Sequence, residues 1–152
     1  MHTLKMPPRI KVLEAVGSLA DGRVRLLDEK RAQVTSSLGD KTYTVAVDVE
    51  KGLAYSDDNG TKYRGYVGYP IIAVLMKRGV LPYNERIAEA LKGIKWKTLN
   101  EKYKKYWLVE KIVKNIAQRR GVKPGEIDEY VEQVLSQLSQ LELRLAEDPD
   151  NI

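Results

Sequence analysis

The chain has 152 residues, no cysteine and one histidine, His2, with 26 Lys/Arg against 21 Asp/Glu for a net charge of +5. Disulfides and thiolate metal sites are thereby excluded, and a chain this long can bury roughly two-thirds of its unfolded surface without them. No apolar run approaches the roughly 20 residues of a membrane span, and Met1–Pro8 lacks the apolar core of a signal peptide, so a cytoplasmic protein with no membrane contact is expected.

In chain order, Pro7-Pro8 opens a helix from Arg9 to Ala20, with Ile10, Leu13, Val16 and Ala20 at helical spacing and Asp21-Gly22 as the stop. The terminus ahead of it, including His2, is expected to fray. Three strands of an antiparallel meander follow. Val24 and Leu26 alternate with arginines, Ala32 and Val34 with polar neighbours, and Tyr43, Val45, Val47 and Val49 share one face of Lys41–Val49. Gly52–Tyr55 adds a short strand, and a polar loop then spans residues 56–69. Pro70 suits a first helical turn, and Ile71–Met76 is apolar all round, which predicts a helix buried on most sides.

The second half reads as helical. Asn84 caps a short helix with Ile87, Leu91 and Ile94 inward. Thr98-Leu99-Asn100-Glu101 has the form of a capping box, and one helix is expected from there to about Arg120. After Gly121 and Pro124, the spacing of Ile127, Val131, Val134, Leu138, Leu141 and Leu145 makes a heptad seam. Residues 98–147 are therefore expected to form an antiparallel helical hairpin, and the last helix doubles as a possible homodimer or protein-partner surface. The fold class is α+β: a small antiparallel meander packed with a buried helix, then a helical C-terminal half. The expected organisation is a core over 1–82, a helical extension over 83–147 and a tail over 148–152.

Meander, polar loop and apolar helix together resemble the SWIM zinc-finger family over about residues 20–79. Asp21-Gly22-Arg23-Val24 is similar to its opening turn and strand, and Val34-Thr35-Ser36-Ser37 with Tyr43-Thr44-Val45 to its paired strands. Arg64-Gly65, then Gly68-Tyr69-Pro70 leading into Ile71-Ile72-Ala73-Val74-Leu75, resembles its Cys-x-His junction and helix. All four zinc ligands are missing. Tyr55 and Asp57 stand about where the first pair would be, and Gly68 and Pro70 where the second would be. Glycine and proline carry no donor group, so no zinc is expected. The resemblance implies an interaction module without catalysis, found in DNA-processing machinery. Tyr55, Tyr63, Tyr66 and Tyr69 are the natural fillers of the space a metal would have organised.

Charge is segregated along the chain. Residues 92–123 carry 11 basic and 2 acidic side chains, whereas residues 124–152 carry 1 basic and 8 acidic. Lys97, Lys104 and Lys111 repeat at sevens, with Lys105, Lys114, Arg119 and Arg120 nearby, and such a row suits a phosphate backbone. Lys62 and Arg64 interleave with Tyr63 and Tyr66, a pattern that allows bases to stack while cations hold phosphates; Trp107 is a further stacking candidate. Each has a structural alternative: tyrosines that fill the core, tryptophans that anchor the hairpin, and lysines neutralised by Glu126, Asp128, Glu129 and Glu132 of the last helix.

Asp57-Asp58-Asn59-Gly60 has the oxygens for a carboxylate site but reads first as a tight turn, lacking the spaced ligands of a calcium loop. No nucleophile–base set, phosphate loop or cofactor motif is present. The expected function is a non-enzymatic module that binds nucleic acid through the lysine-rich surface. The rivals are a protein–protein adaptor using the heptad helix and, last, a metal-dependent nuclease built on Asp57 and Asp58.

Overall fold

A computed structural model describes residues 2–152. Its sheet runs in the order β1 (Val24–Leu26), β2 (Arg31–Thr35), β3 (Thr42–Asp48), β4 (Leu53–Ser56) and β5 (Arg144–Leu145). The first four strands are an antiparallel meander, with Val24 opposite Val34 and Ala32 opposite Val45. That register puts Val24, Ala32, Val34, Val45 and Val47 in the core, as the alternation of apolar residues requires. The fifth strand pairs with β4 in parallel.

Helices build the rest in layers. The helix α3 (Tyr69–Lys77) packs on β1, β3 and β4, and Pro70 through Met76 are all buried. Against it lies α1 (Ile10–Ala20), which in turn is covered by α4 (Glu85–Leu91), α6 (Tyr106–Arg119) and α7 (Pro124–Leu141). The α1 helix is therefore central, with Ile10, Val12, Leu13, Ala15 and Val16 all buried. It takes Glu14 and Ser18 inside with it. The architecture is α+β with a helical C-terminal half, as the sequence patterns imply. No helix of the described residues is long and apolar enough to cross a membrane.

Local cues explain most boundaries. Asn84 Oδ1 accepts from the Ile87 N–H at 3.0 Å and starts α4. Asp58 does the same for a short helix, α2 (Asn59–Lys62), inside the expected loop, accepting from the Thr61 N–H at 3.1 Å.

Several expectations need correction. The helix expected from residue 98 to 120 is two helices, α5 (Trp96–Tyr103) and α6, separated at Lys104, whose φ of 57° is left-handed. Such a residue costs about 1–2 kcal/mol outside glycine, but the bend lets Trp96 and Val109 both enter the core. The α5 helix begins before the supposed capping box, with Ser37 Oγ from the β2–β3 turn accepting from the Lys97 N–H at 3.0 Å. The terminal helix ends at Leu141, because Glu142 is left-handed with φ 48°. Leu143 then enters the core, and Leu145 of the presumed heptad lies in β5.

Residues 2–5 do not fray. The Leu4 N–H donates to Leu143 O at 2.8 Å, and the Lys5 N–H donates to Gly65 O at 2.9 Å. Residues 2–5 thus tie the polar loop to the C-terminal strand, and Leu4 is buried. Residues 149–151 are a 3₁₀ turn packed on β3 and β4. One continuous apolar core runs across the 82/83 division.

Candidate nucleic-acid interface

The polar loop is held by a small buried network. Ser56 Oγ donates to Asp58 Oδ1, Asp58 Oδ2 accepts from the Thr61 N–H, and Thr61 Oγ1 accepts from the Gly68 N–H at 3.0 Å. Asp57 Oδ1 accepts from the Thr44 N–H at 2.9 Å. Both carboxylates are thus occupied by backbone and hydroxyl donors, and no trio of His, Cys, Asp or Glu suited to a metal occurs among the described residues. The end of β4 and the Gly68-Tyr69-Pro70 junction meet through this network.

Of the four tyrosines expected to fill the loop, Tyr66 does so most completely, packing so closely on Gly60 that a Cβ there would lie 2.7 Å from the ring Cζ. Tyr55 and Tyr69 are half-buried, and Tyr69 sets its ring edge-to-face on Tyr43 with centroids 6.2 Å apart. Tyr63 is not a filler: it is 73% exposed, with Lys62 Nζ 5.5 Å from its ring centroid.

The basic residues divide into two groups. Lys97 donates to Asp40 at 3.1 Å, and that hydrogen bond raises its pKa. Lys114 sits between Asp128 at 2.6 Å and Glu110 at 2.8 Å. Burial opposes its charge, yet those two carboxylates hold its pKa above the ordinary lysine value. Arg120 donates to the carbonyls of Ala90 at 2.9 Å and Lys92 at 2.8 Å. These three are structural as well as basic. By contrast Lys62, Arg64, Lys104, Lys105, Lys111 and Arg119 are exposed, and none has a carboxylate within 4.0 Å among the described residues.

The acidic last helix neutralises less than its sequence suggests. Asp128 reaches Lys114 and Arg9, whereas Glu126 turns to Arg86 at 3.1 Å. Glu129 and Glu132 are exposed without an ion pair among the described residues. The even spacing of Lys97, Lys104 and Lys111 does not make one row, because the chain turns at Lys104. The heptad residues Ile127, Val131, Val134 and Leu138 are buried within the chain itself, so they offer no free seam.

The two tryptophans separate cleanly. Trp96 is buried against α1, where a Cβ on Gly17 would lie 3.0 Å from its Cε2. Trp107, in the first turn of α6, is 64% exposed and stands among Lys104, Lys105 and Lys111 in sequence. Tyr106 beside it takes Lys11 Nζ at 5.0 Å from its ring centroid. Tyr66 reaches the same spot. Its burial, with the neighbouring Tyr106 phenol, pushes its pKa up to about 12 against the opposing charge of Lys11. The structure therefore brings Tyr66 of the loop and Tyr106 of α6 together around Lys11.

A cluster at Glu14 had no counterpart in the sequence analysis. Lys11 Nζ donates to Glu14 Oε2 at 3.0 Å, and Asn100 Nδ2 donates to Glu14 Oε1 at 2.6 Å. Burial works against the Lys11 ammonium, but Glu14 and the nearby phenols keep its pKa raised. The available signal was one carboxylate inside the apolar run Val12-Leu13-Glu14-Ala15-Val16.

No curated protein and no solved structure matches the chain. The family model described as uncharacterised conserved protein UCP014422 matches residues 4–144, a span from the buried Leu4 to the first residue of β5. The chain belongs to that family.

Proposed function

We propose that the protein is a non-enzymatic nucleic-acid-binding module whose contact surface is the corner between α5 and α6, flanked by the Lys62–Arg64 turn. The observation that carries this reading is Trp107. An isolated exposed tryptophan means little, but this one is 64% exposed beside Lys104, Lys105 and Lys111. Stacking on aromatic rings is worth about 1–3 kcal/mol per base, and unpaired cations supply the phosphate contacts. The first turn of α6 adds to this, since it carries no acidic residue and no side-chain cap.

The polar network of Ser56, Asp58, Thr61 and Gly68 supports a second part of the proposal, a SWIM-like origin. In it, hydrogen bonds and Tyr66 hold together the loop that zinc would clamp.

The test is a titration with a labelled oligothymidylate of about 20 nucleotides, longer than the roughly 4–16 nucleotides such sites cover. Three lysine–phosphate contacts give a log–log salt slope of about −2 on single strands. The triple variant Lys104→Glu, Lys105→Glu, Lys111→Glu is expected to remove that slope and most of the affinity. Binding that ignores salt, or that survives the triple variant, rejects the proposal.

A further inference from the structure

The outer face of α6 carries one continuous row of side chains. Trp107, Lys111, Asn115 and Arg119 follow one another at every fourth position, and all are exposed. Residues at that spacing form a ridge inclined about 26° to the helix axis. From Trp107 to Arg119 the ridge covers about 18 Å of axis at 1.5 Å per residue. Each step advances it about 40° around the helix, because four residues exceed a turn of 3.6. Lys114 marks the side of α6 that meets α7, through its ion pair with Asp128, and Trp107 stands nearly two turns before it on that same side. Arg120 marks the side that meets α4, through the carbonyls of Ala90 and Lys92. The ridge therefore starts near α7 and winds towards α4.

No negative charge interrupts it. Glu110 is the single acid of α6, and it is taken up by Lys114 at 2.8 Å and Arg9 at 3.5 Å. Arg119 is followed by Arg120, which opens on a groove of about 620 Å³ lined by Arg86, Glu89, Ala90, Lys92, Arg120 and Val122. Arg86 is committed to Glu126 at 3.1 Å and to Gly121 O at 2.6 Å. Lys92 is exposed with no carboxylate within 4.0 Å among the described residues. Arg120 gives both of its hydrogen bonds from Nη1, so its guanidinium is fixed in place while Nε and Nη2 keep their donors. A guanidinium already anchored by the protein, with an unpaired ammonium on the same wall, suits a phosphate. Glu89 is the only carboxylate on that wall and is outnumbered by the cations.

We propose that a single strand follows this ridge, with one base stacked on Trp107, a phosphate on Arg119 and a further phosphate held in the groove by Lys92 and Arg120. Stacked nucleotides repeat at about 3.4 Å along a strand, so the ridge matches about five of them. The proposal rests on the nucleic-acid reading above, and it gives that surface a direction, a length and a second anchor.

The experiment measures the salt dependence of binding to an oligothymidylate of about 20 nucleotides, for the wild type and for Lys92→Gln/Arg119→Gln. Each phosphate contact on a single strand contributes about 0.7 to the log–log slope. The double variant is expected to be shallower by about 1.4 and to keep the quench of Trp107 fluorescence at saturation. The control Lys51→Gln/Lys77→Gln removes the same charge from exposed lysines off the ridge and leaves the slope unchanged. An unchanged slope in Lys92→Gln/Arg119→Gln, or an equal loss in the control, overturns the inference while leaving the nucleic-acid reading in place. A wild type that binds no oligothymidylate defeats that reading and the inference with it. A second measurement on the wild type covers the case in which the double variant fails to fold. The backbone amide resonances of Lys92, Asn115 and Arg119 shift as the strand is added, and shifts confined to residues 104–111 refute the path along α6.

Discussion

Replacing Gly68 by alanine tests whether the polar network is what holds the loop to α3. The backbone is no obstacle, because φ −72° and ψ 163° suit alanine. Space is the obstacle. A Cβ at Gly68 would lie 2.6 Å from Asp58 Cγ and closer still to Oδ2, against about 3.5–4.0 Å for an unstrained carbon contact. About 1 Å must be recovered, and Asp58 is not free to move, since it accepts from both Ser56 Oγ and the Thr61 N–H. Overpacking of this kind costs about 1–3 kcal/mol. Losing the cap and hydroxyl bonds of Asp58 adds about 1 kcal/mol each. The sum is about 3–5 kcal/mol, a large share of the ~5–15 kcal/mol that holds a domain folded. At about 2–4 °C per kcal/mol for a chain of this size, Tm falls by about 6–20 °C.

Urea denaturation followed by circular dichroism measures the loss directly. The double variant isolates its cause: with Asp58→Ala already in place, adding Gly68→Ala costs under about 1 kcal/mol, because the colliding carboxylate is gone. Gly125→Ala, where a Cβ meets nothing within 4 Å, is the control and stays within about 1 kcal/mol of wild type. A Gly68→Ala protein as stable as the wild type, or a penalty that persists without Asp58, refutes the reasoning.

Two further outcomes follow from individual groups. Asn84→Ala removes the acceptor for the Ile87 N–H, and Tm should fall by about 2–4 °C, the equivalent of about 1 kcal/mol; an unchanged Tm contradicts the capping role. In an alkaline titration followed by phenolate absorbance, Tyr66, Tyr69 and Tyr130 should lag the exposed tyrosines, because burial raises all three, Tyr66 to about 12. The native state keeps these protons longer than the unfolded state. The stability they contribute is therefore full below the ordinary tyrosine value near pH 10, and the share of Tyr66 is lost as pH rises through about 12. A single transition of all nine tyrosines at the ordinary value argues against their burial.

Much of the fold was legible because its signals are local. The alternation in Tyr43–Val49 and the unbroken apolar run Ile71–Met76 each report burial over a few residues, and the cap at Asn84 and the proline at 124 each mark a helix start. What escaped depends on partners distant in sequence. Lys104 lies in a continuous helical pattern with no glycine or proline, and it bends only because Trp96 and Val109 must reach the same core. The cap of α5 comes from Ser37, 60 residues away. Residues 2–5 look loose in sequence but are held by Gly65 and Leu143.

Among the candidate site residues, Lys97, Lys114 and Arg120 are basic in sequence yet tied to carboxylates or carbonyls in space. The exposure of Trp107 was visible only once the chain had turned at Lys104. The cluster at Glu14 and Asn100 joins residues 86 positions apart, a juxtaposition that periodicity does not encode.

The central claim is that bases stack at the corner between α5 and α6, and Trp107 reports on it directly. Trp96 is buried and Trp107 is 64% exposed, so a strand binding at this corner must act on the emission of Trp107. Intrinsic fluorescence should therefore be quenched in a saturable way as oligothymidylate is added at low salt. The quench should reverse when salt is raised and be absent in Trp107→Phe. Saturable binding with no change in Trp107 emission would contradict the account.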